Sequence, residues 1–100
     1  MDEICHEYRL QAKSLERMAE KKDKEAAQAK KKLQKAMHLK DDVVRRIHAR
    51  NVIMYSNQAK NIRKMVATLK KQEKLLRDRE ILVKMSDAQK AINRLSLNKN

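Results

Sequence analysis

The chain contains no glycine and no proline in 100 residues. Those two residues punctuate most turns and loops, and a compact globular domain of this size uses several. Phenylalanine and tryptophan are also missing, and the only aromatic residues are Tyr8 and Tyr55. So little bulky apolar material excludes a thick core and, with it, an enclosed substrate cavity. Cys5 is the single cysteine, so no internal disulfide can form, which fits a reducing compartment. Acidic residues are scarce relative to basic ones: 13 Asp and Glu face 26 Lys and Arg, for a formal charge of +13. No apolar run approaches the length of a membrane span. The opening Met1-Asp2-Glu3 is acidic with no apolar stretch after it, unlike a secretory signal, and Asp2 excludes N-myristoylation.

What is present is helix-forming. Lys, Glu, Ala, Leu, Gln, Arg and Met fill the chain, with nothing to interrupt them. Apolar residues make up 41% of the chain and recur at helical spacing, which argues against the disorder that 39% charged residues could otherwise signal. The composition predicts one or two very long helices that present surfaces to partners. The charge predicts a polyanionic partner: nucleic acid, anionic lipid or an acidic protein segment.

Taken at alternating steps of four and three, the first third reads Met1, Cys5, Tyr8, Ala12, Leu15, Ala19, Lys22, Ala26, Ala29, Leu33, Ala36. Only Lys22 is polar. This heptad seam predicts a helix packed lengthwise on another, and its alanines predict close approach. The best break is Leu39-Lys40-Asp41-Asp42, where an aspartate can cap the next helix. Beyond it, Val52, Tyr55, Ala59, Ile62, Val66, Leu69 and Leu76 form a stripe, interrupted by Glu73 and Glu80. A second stripe, Ile47, Met54, Met65 and Leu69, lies partly beside the first. A third, Ile81, Met85, Ala88, Ile92 and Leu95, lies on a shifted face, where Ser86-Asp87 can cap a separate helix.

The expected fold is all-α. It is a long antiparallel helical hairpin, with helix 1 over about 3–38 and helix 2 over about 42–70 or longer. A further helix runs to about 95, or all merge into one extended helix in a filament. A single domain spans 1–97, and 98–100 fray.

Charge is placed unevenly. Residues 1–40 hold 11 basic and 7 acidic groups; residues 41–100 hold 15 and 6. Val43 to Gln72 contains no acid at all. On helix 1, Lys13, Arg17, Lys21, Lys24, Lys31 and Lys35 share one face away from the seam. Such a face is either merely solvated or a polyanion surface; the overall charge favours the second.

Catalytic and metal chemistry find no support in the residues. His6, His38 and His48 are far apart, Cys5 and His6 point in different directions, and no zinc spacing exists. There is no phosphate-cradling loop and no nucleophile elbow, so no enzyme and no cofactor is expected. His48 reads as a packing or hydrogen-bonding residue, with a pH switch as the sharper alternative. Met18, Met37, Met54, Met65 and Met85 read as flexible seam filler. Asn51, Asn57, Gln58 and Asn61 cluster beside apolar positions, where amides can set helix register.

That amide-rich stretch carries a resemblance. Arg46-Ile47-His48-Ala49-x-Asn51-x-Ile53-x-x-x-Asn57-Gln58-Ala59-x-Asn61-x-x-x-Met65 resembles the second helix of ESCRT-III proteins of the charged multivesicular body protein 1 type. Ala12-Lys13-x-Leu15-x-Arg17-x-Ala19 and Lys21-x-Asp23-Lys24-Glu25 resemble the family's first helix. The resemblance covers roughly residues 8–70 and fades toward 95. Two departures stand out: Lys40-Asp41 replaces the family's Gly-Asn turn, and Arg50 replaces an acidic residue.

The resemblance implies a basic hairpin that self-assembles with copies of itself and other ESCRT-III subunits into filaments on anionic membranes. Those filaments remodel or sever membranes in multivesicular body sorting and abscission, at the cytoplasmic, peripheral face of endosomal or other membranes. It implies that Lys13, Arg17, Lys21, Lys24, Lys31 and Lys35 meet membrane or, in some filaments, nucleic acid. For the hairpin and self-assembly, the residues implicated are Leu15, Leu33, Ile47, Asn51, Met54, Asn57, Gln58, Ile62, Met65, Leu69, Ile81, Met85 and Ile92. Contact with an AAA ATPase carrying a microtubule-interacting-and-trafficking domain is expected only of a longer chain, so a truncated core or a short member is implied. Two alternatives stay open: a nucleic-acid-binding basic coiled coil, and an inert structural coiled coil.

Overall fold

The computed structural model describes residues 2–98, and the side chains of 3–97. Met1 of the seam, and Lys99 and Asn100 of the expected tail, lie outside the described residues. Two helices make up the fold: α1, Asp2–Ala36, and α2, Asp42–Asn98. They form an antiparallel hairpin shaped as a rod of 93 × 16 × 13 Å. Its radius of gyration is 25.0 Å, against about 13 Å for a compact chain of this length.

The turn forms without glycine. No described residue has a positive φ, so the left-handed helix cap that usually recruits glycine is not used. Instead α1 tightens at its end, short of the expected residue 38. His38 N–H donates to Lys35 C=O at 3.4 Å and Leu39 N–H to Ala36 C=O at 2.9 Å, the three-residue spacing of a 3₁₀ turn. Asp41 then caps α2. Its Oδ1 accepts from the N–H groups of Val43 at 3.0 Å and Val44 at 3.3 Å. Asp42 in the first turn suits the positive end of the helix dipole and pairs with Arg45.

The seam is the one the heptad spacing predicts. Every described α1 position of it is buried or half-buried, with Cys5, Ala12, Ala19, Ala29 and Ala36 at 5% exposure or less. On α2 the partners are His48, Val52, Tyr55, Ala59, Ile62, Val66, Leu69 and Leu76, all buried or half-buried. In heptad notation, Cys5, Ala12 and Ala19 are a and Tyr8, Leu15 and Lys22 are d; Val52, Ala59 and Val66 are a and Tyr55, Ile62 and Leu69 are d. Alanine at so many contact positions lets the backbones approach closely, and leaves only small side chains fully covered.

Glu73 and Glu80 do not end the seam; both occupy it half-buried. Glu73 is held between two guanidiniums, Arg9 from α1 at 2.5 Å and Arg77 on its own helix. Lys22, the polar seam position of α1, pairs with Glu25 at 3.3 Å and lies 5.5 Å from the centre of the Tyr55 ring. The two edges of the seam differ. One carries the interhelix pairs Arg9–Glu73, Glu16–Lys70 and Asp23–Arg63. The other carries an open apolar groove of about 390 Å³ lined by Gln11, Leu15, Lys64, Met65, Thr68 and Leu69. Exposed ion pairs contribute about 0–1 kcal/mol each, so they align the helices more than they hold them.

α2 outruns its partner. Every residue of 81–97 is exposed, an overhang of about 27 Å counted to Asn98. The further helix expected to about 95 is the continuation of α2. Ser86-Asp87 caps nothing; the helix runs through it. The overhang is bare for a chemical reason. The next seam positions after Glu80 are Val83, Asp87, Lys90 and Arg94, which offer a second helix little to bury.

Candidate functional site

Lys13, Arg17, Lys21, Lys24, Lys31 and Lys35 all lie exposed on the outer side of α1. They occupy heptad columns b, c and f, which point away from the seam. The row extends about 33 Å along the helix. None of the six takes part in an ion pair among the described residues. Seven other cations, Arg9, Lys22, Arg45, Arg63, Lys70, Arg77 and Lys84, each have a carboxylate partner. The acids of α1 that reach α2 leave the outer row uncompensated except by Glu20. Such a row attracts anions and is screened by salt.

The Asp23–Arg63 pair shifts the titration of both its members. Hydrogen bonding from the Arg63 guanidinium, aided by its charge, holds the Asp23 carboxyl below the usual carboxylate range. The same bond raises Arg63 above its ordinary value. Register between the helices is thus marked at one edge by a fork-shaped contact between two exposed groups.

The thirteen residues implicated in the hairpin and self-assembly divide into two groups. Leu15, Leu33, Asn51, Gln58, Ile62 and Leu69 are half-buried at the seam or its margin. Ile47, Met54, Asn57, Met65, Ile81, Met85 and Ile92 are exposed. Of the second group, Met65 lines the open groove beside Gln11 and Leu15 of α1, outside the seam itself. The Met residues do not fill the seam: Met18, Met37, Met54, Met65 and Met85 are 43–62% exposed, because none of them falls at an a or d position. Nor do the amides bridge the helices. Asn57 and Asn61 face solvent, and Gln58 Oε1 is buried without a hydrogen-bond partner among the described residues. His48 packs half-buried beside Gln28, Lys32, Asn51 and Tyr55, with Nδ1 likewise unpartnered.

Sequence reasoning missed the clamp on Glu73. Arg9 lies 64 residues away, and only the antiparallel register brings it near. Among the described residues no three His, Cys, Asp or Glu side chains group as metal ligands. No helix of the described residues is long and apolar enough to cross a membrane. No protein-family model matches the chain, and no curated protein matches its sequence.

Proposed function

We propose that this chain is an ESCRT-III-like subunit that self-assembles on anionic membranes and takes part in membrane remodelling or scission. One observation carries the reading: a rod with an unpaired cationic face ends in an overhang with an exposed apolar stripe, Ile81, Met85, Ala88, Ile92 and Leu95. The face on α1 supplies attraction to lipid phosphates, about 1 kcal/mol per basic residue close to the surface. The overhang supplies a contact to a neighbouring subunit. A contact between two different surfaces of identical chains propagates as a filament or ring. Polymerisation then multiplies weak lipid contacts into avidity. The Arg46–Met65 resemblance points the same way and supplies the setting: peripheral contact with endosomal or other membranes, alongside other ESCRT-III subunits.

The test is negative-stain electron microscopy of the purified chain, alone and with anionic liposomes, at low and moderate salt. Filaments or coated tubules that require anionic lipid, or grow with it, are the expected result. Bare vesicles beside small uniform particles refute the reading. A competition between liposomes and duplex DNA separates it from the nucleic-acid alternative, which salt dependence does not.

A further inference from the structure

The outer side of α2 carries a second row of cations. Arg46, Arg50, Lys60, Lys64, Lys71 and Lys74 are all exposed. They lie in columns b and f of the α2 heptads, which also hold Ile53, Asn57 and Ala67, over about 42 Å of helix. None of them has a carboxylate partner among the described residues. No acid lies in these two columns from Arg46 to Lys74; Glu73, within that span, is a seam residue.

In a two-helix seam the b, c and f columns of each helix point away from the other helix. The α2 row and the Lys13–Lys35 row therefore lie on opposite sides of the rod. A flat anionic surface held by one leaves the other open.

The two rows differ in what lies between the charges. On α2, Ile47, Ile53, Met54 and Leu75 stand beside the cations at 50%, 61%, 43% and 59% exposure. Basic groups mixed with exposed aliphatic side chains suit the headgroup–acyl boundary of a bilayer, where the aliphatic groups sink and the cations meet phosphates. Nucleic acid is served less well. Single strands need aromatic platforms, and Tyr8 and Tyr55 are both half-buried at the seam.

We infer that the outer face of α2 is a second anionic-lipid surface, and that the hairpin bridges two bilayers, one on each side. The inference rests on the membrane reading above and extends it from one face to two.

Phosphatidylcholine vesicles containing phosphatidylserine test it. Binding is read by co-sedimentation, and bridging by the growth of particle size in light scattering. Three variants are compared with the natural chain: K13E/R17E/K21E/K24E on α1, R46E/R50E/K60E/K64E on α2, and both sets together. All eight positions are exposed and outside the seam, and circular dichroism checks that helicity is kept. The expected result is that the natural chain binds and clusters vesicles. Each single-face variant still sediments with them but loses clustering, and the combined variant loses both. If the α2 variant clusters vesicles as the natural chain does, clustering comes from self-association and the inference falls. If the natural chain binds without clustering, the inference falls and the membrane reading stands. If it does not bind at all, both fall. Loss of duplex DNA binding by the α2 variant, with lipid clustering unchanged, assigns the face to nucleic acid and also overturns the inference.

Discussion

Replacing Ala19 with leucine sets two effects against each other. Ala19 is 1% exposed, in a seam where Ala12, Ala29, Ala36 and Ala59 are also at 5% or less. Leucine adds three carbons. If the seam had room, their burial would stabilise the hairpin by about 2.4 kcal/mol, at about 0.8 kcal/mol per methylene. The close approach leaves none. Overpacking a filled site typically costs about 1–3 kcal/mol. Here the helices are stiff rods with no third layer behind them, so a wedge at Ala19 also lifts the alanines on either side out of contact. Overpacking therefore wins, and Ala19→Leu lowers stability by about 1–3 kcal/mol. For a domain of this size each kcal/mol moves Tm by about 4–8 °C. Ala27→Leu is the control: the same chemical change on an exposed position of the same helix. It shifts stability by less than about 0.5 kcal/mol. Thermal unfolding followed by circular dichroism, at several protein concentrations, reads both. Equal shifts for the two variants, or a stabilised Ala19→Leu, refute the close-packed alanine seam.

Asp41→Ala removes the cap of α2 and costs about 1 kcal/mol, while Asp41→Asn keeps most of it; Tm comparison decides. The Asp23–Arg63 bond predicts a pH signature. The Asp23 carboxyl is held low in the fold, so its contribution is present above the ordinary carboxylate range and is lost as pH falls through its folded value. The Tm gap between the natural chain and Asp23→Asn is therefore constant near neutrality and closes below about pH 4; a gap that persists in acid rejects this pair. Finally, Lys21→Gln with Lys24→Gln removes two unpaired cations and weakens co-sedimentation with anionic vesicles about 30-fold, from about 1 kcal/mol each. Arg63→Gln with Lys70→Gln removes the same formal charge from cations already neutralised by Asp23 and Glu16, and changes binding far less; equal losses would mean that net charge alone matters.

The hairpin and its seam were legible because a seven-residue period is written directly in residue type. Cys5 to Ala36 and Val52 to Leu76 each repeat it, and Asp41 marks the turn. What period cannot show is which distant residue meets an exception. Glu73 reads as a break in an apolar stripe, yet two arginines make it a seam residue. Ile47, Met54 and Met65 read as part of a second apolar stripe beside the first; a two-helix fold has one seam and leaves these three exposed. The outer cations of α1 were legible for the opposite reason, since nothing competes for a charged column that faces water.

The absence of glycine and proline acts most strongly at the far end of α2. The helix continues unbroken through Asp78 and Ile81, so the same two columns can be followed across the change. From Arg46 to Lys74, columns b and f carry six cations, Arg46, Arg50, Lys60, Lys64, Lys71 and Lys74, with Ile53, Asn57 and Ala67 among them. From Ile81 they carry Ile81, Met85, Ala88, Ile92 and Leu95, while the seam columns turn polar at Asp87, Lys90 and Arg94. One face of one helix is thus cationic along the hairpin and apolar beyond it. A subunit that covers the overhang must approach from the side on which the α2 cations lie. On the proposed reading, self-association and the second anionic-lipid surface share a face, set end to end. A break at Ser86-Asp87 would have freed the overhang to turn elsewhere; the unbroken helix ties the direction of its apolar stripe to the direction of charge.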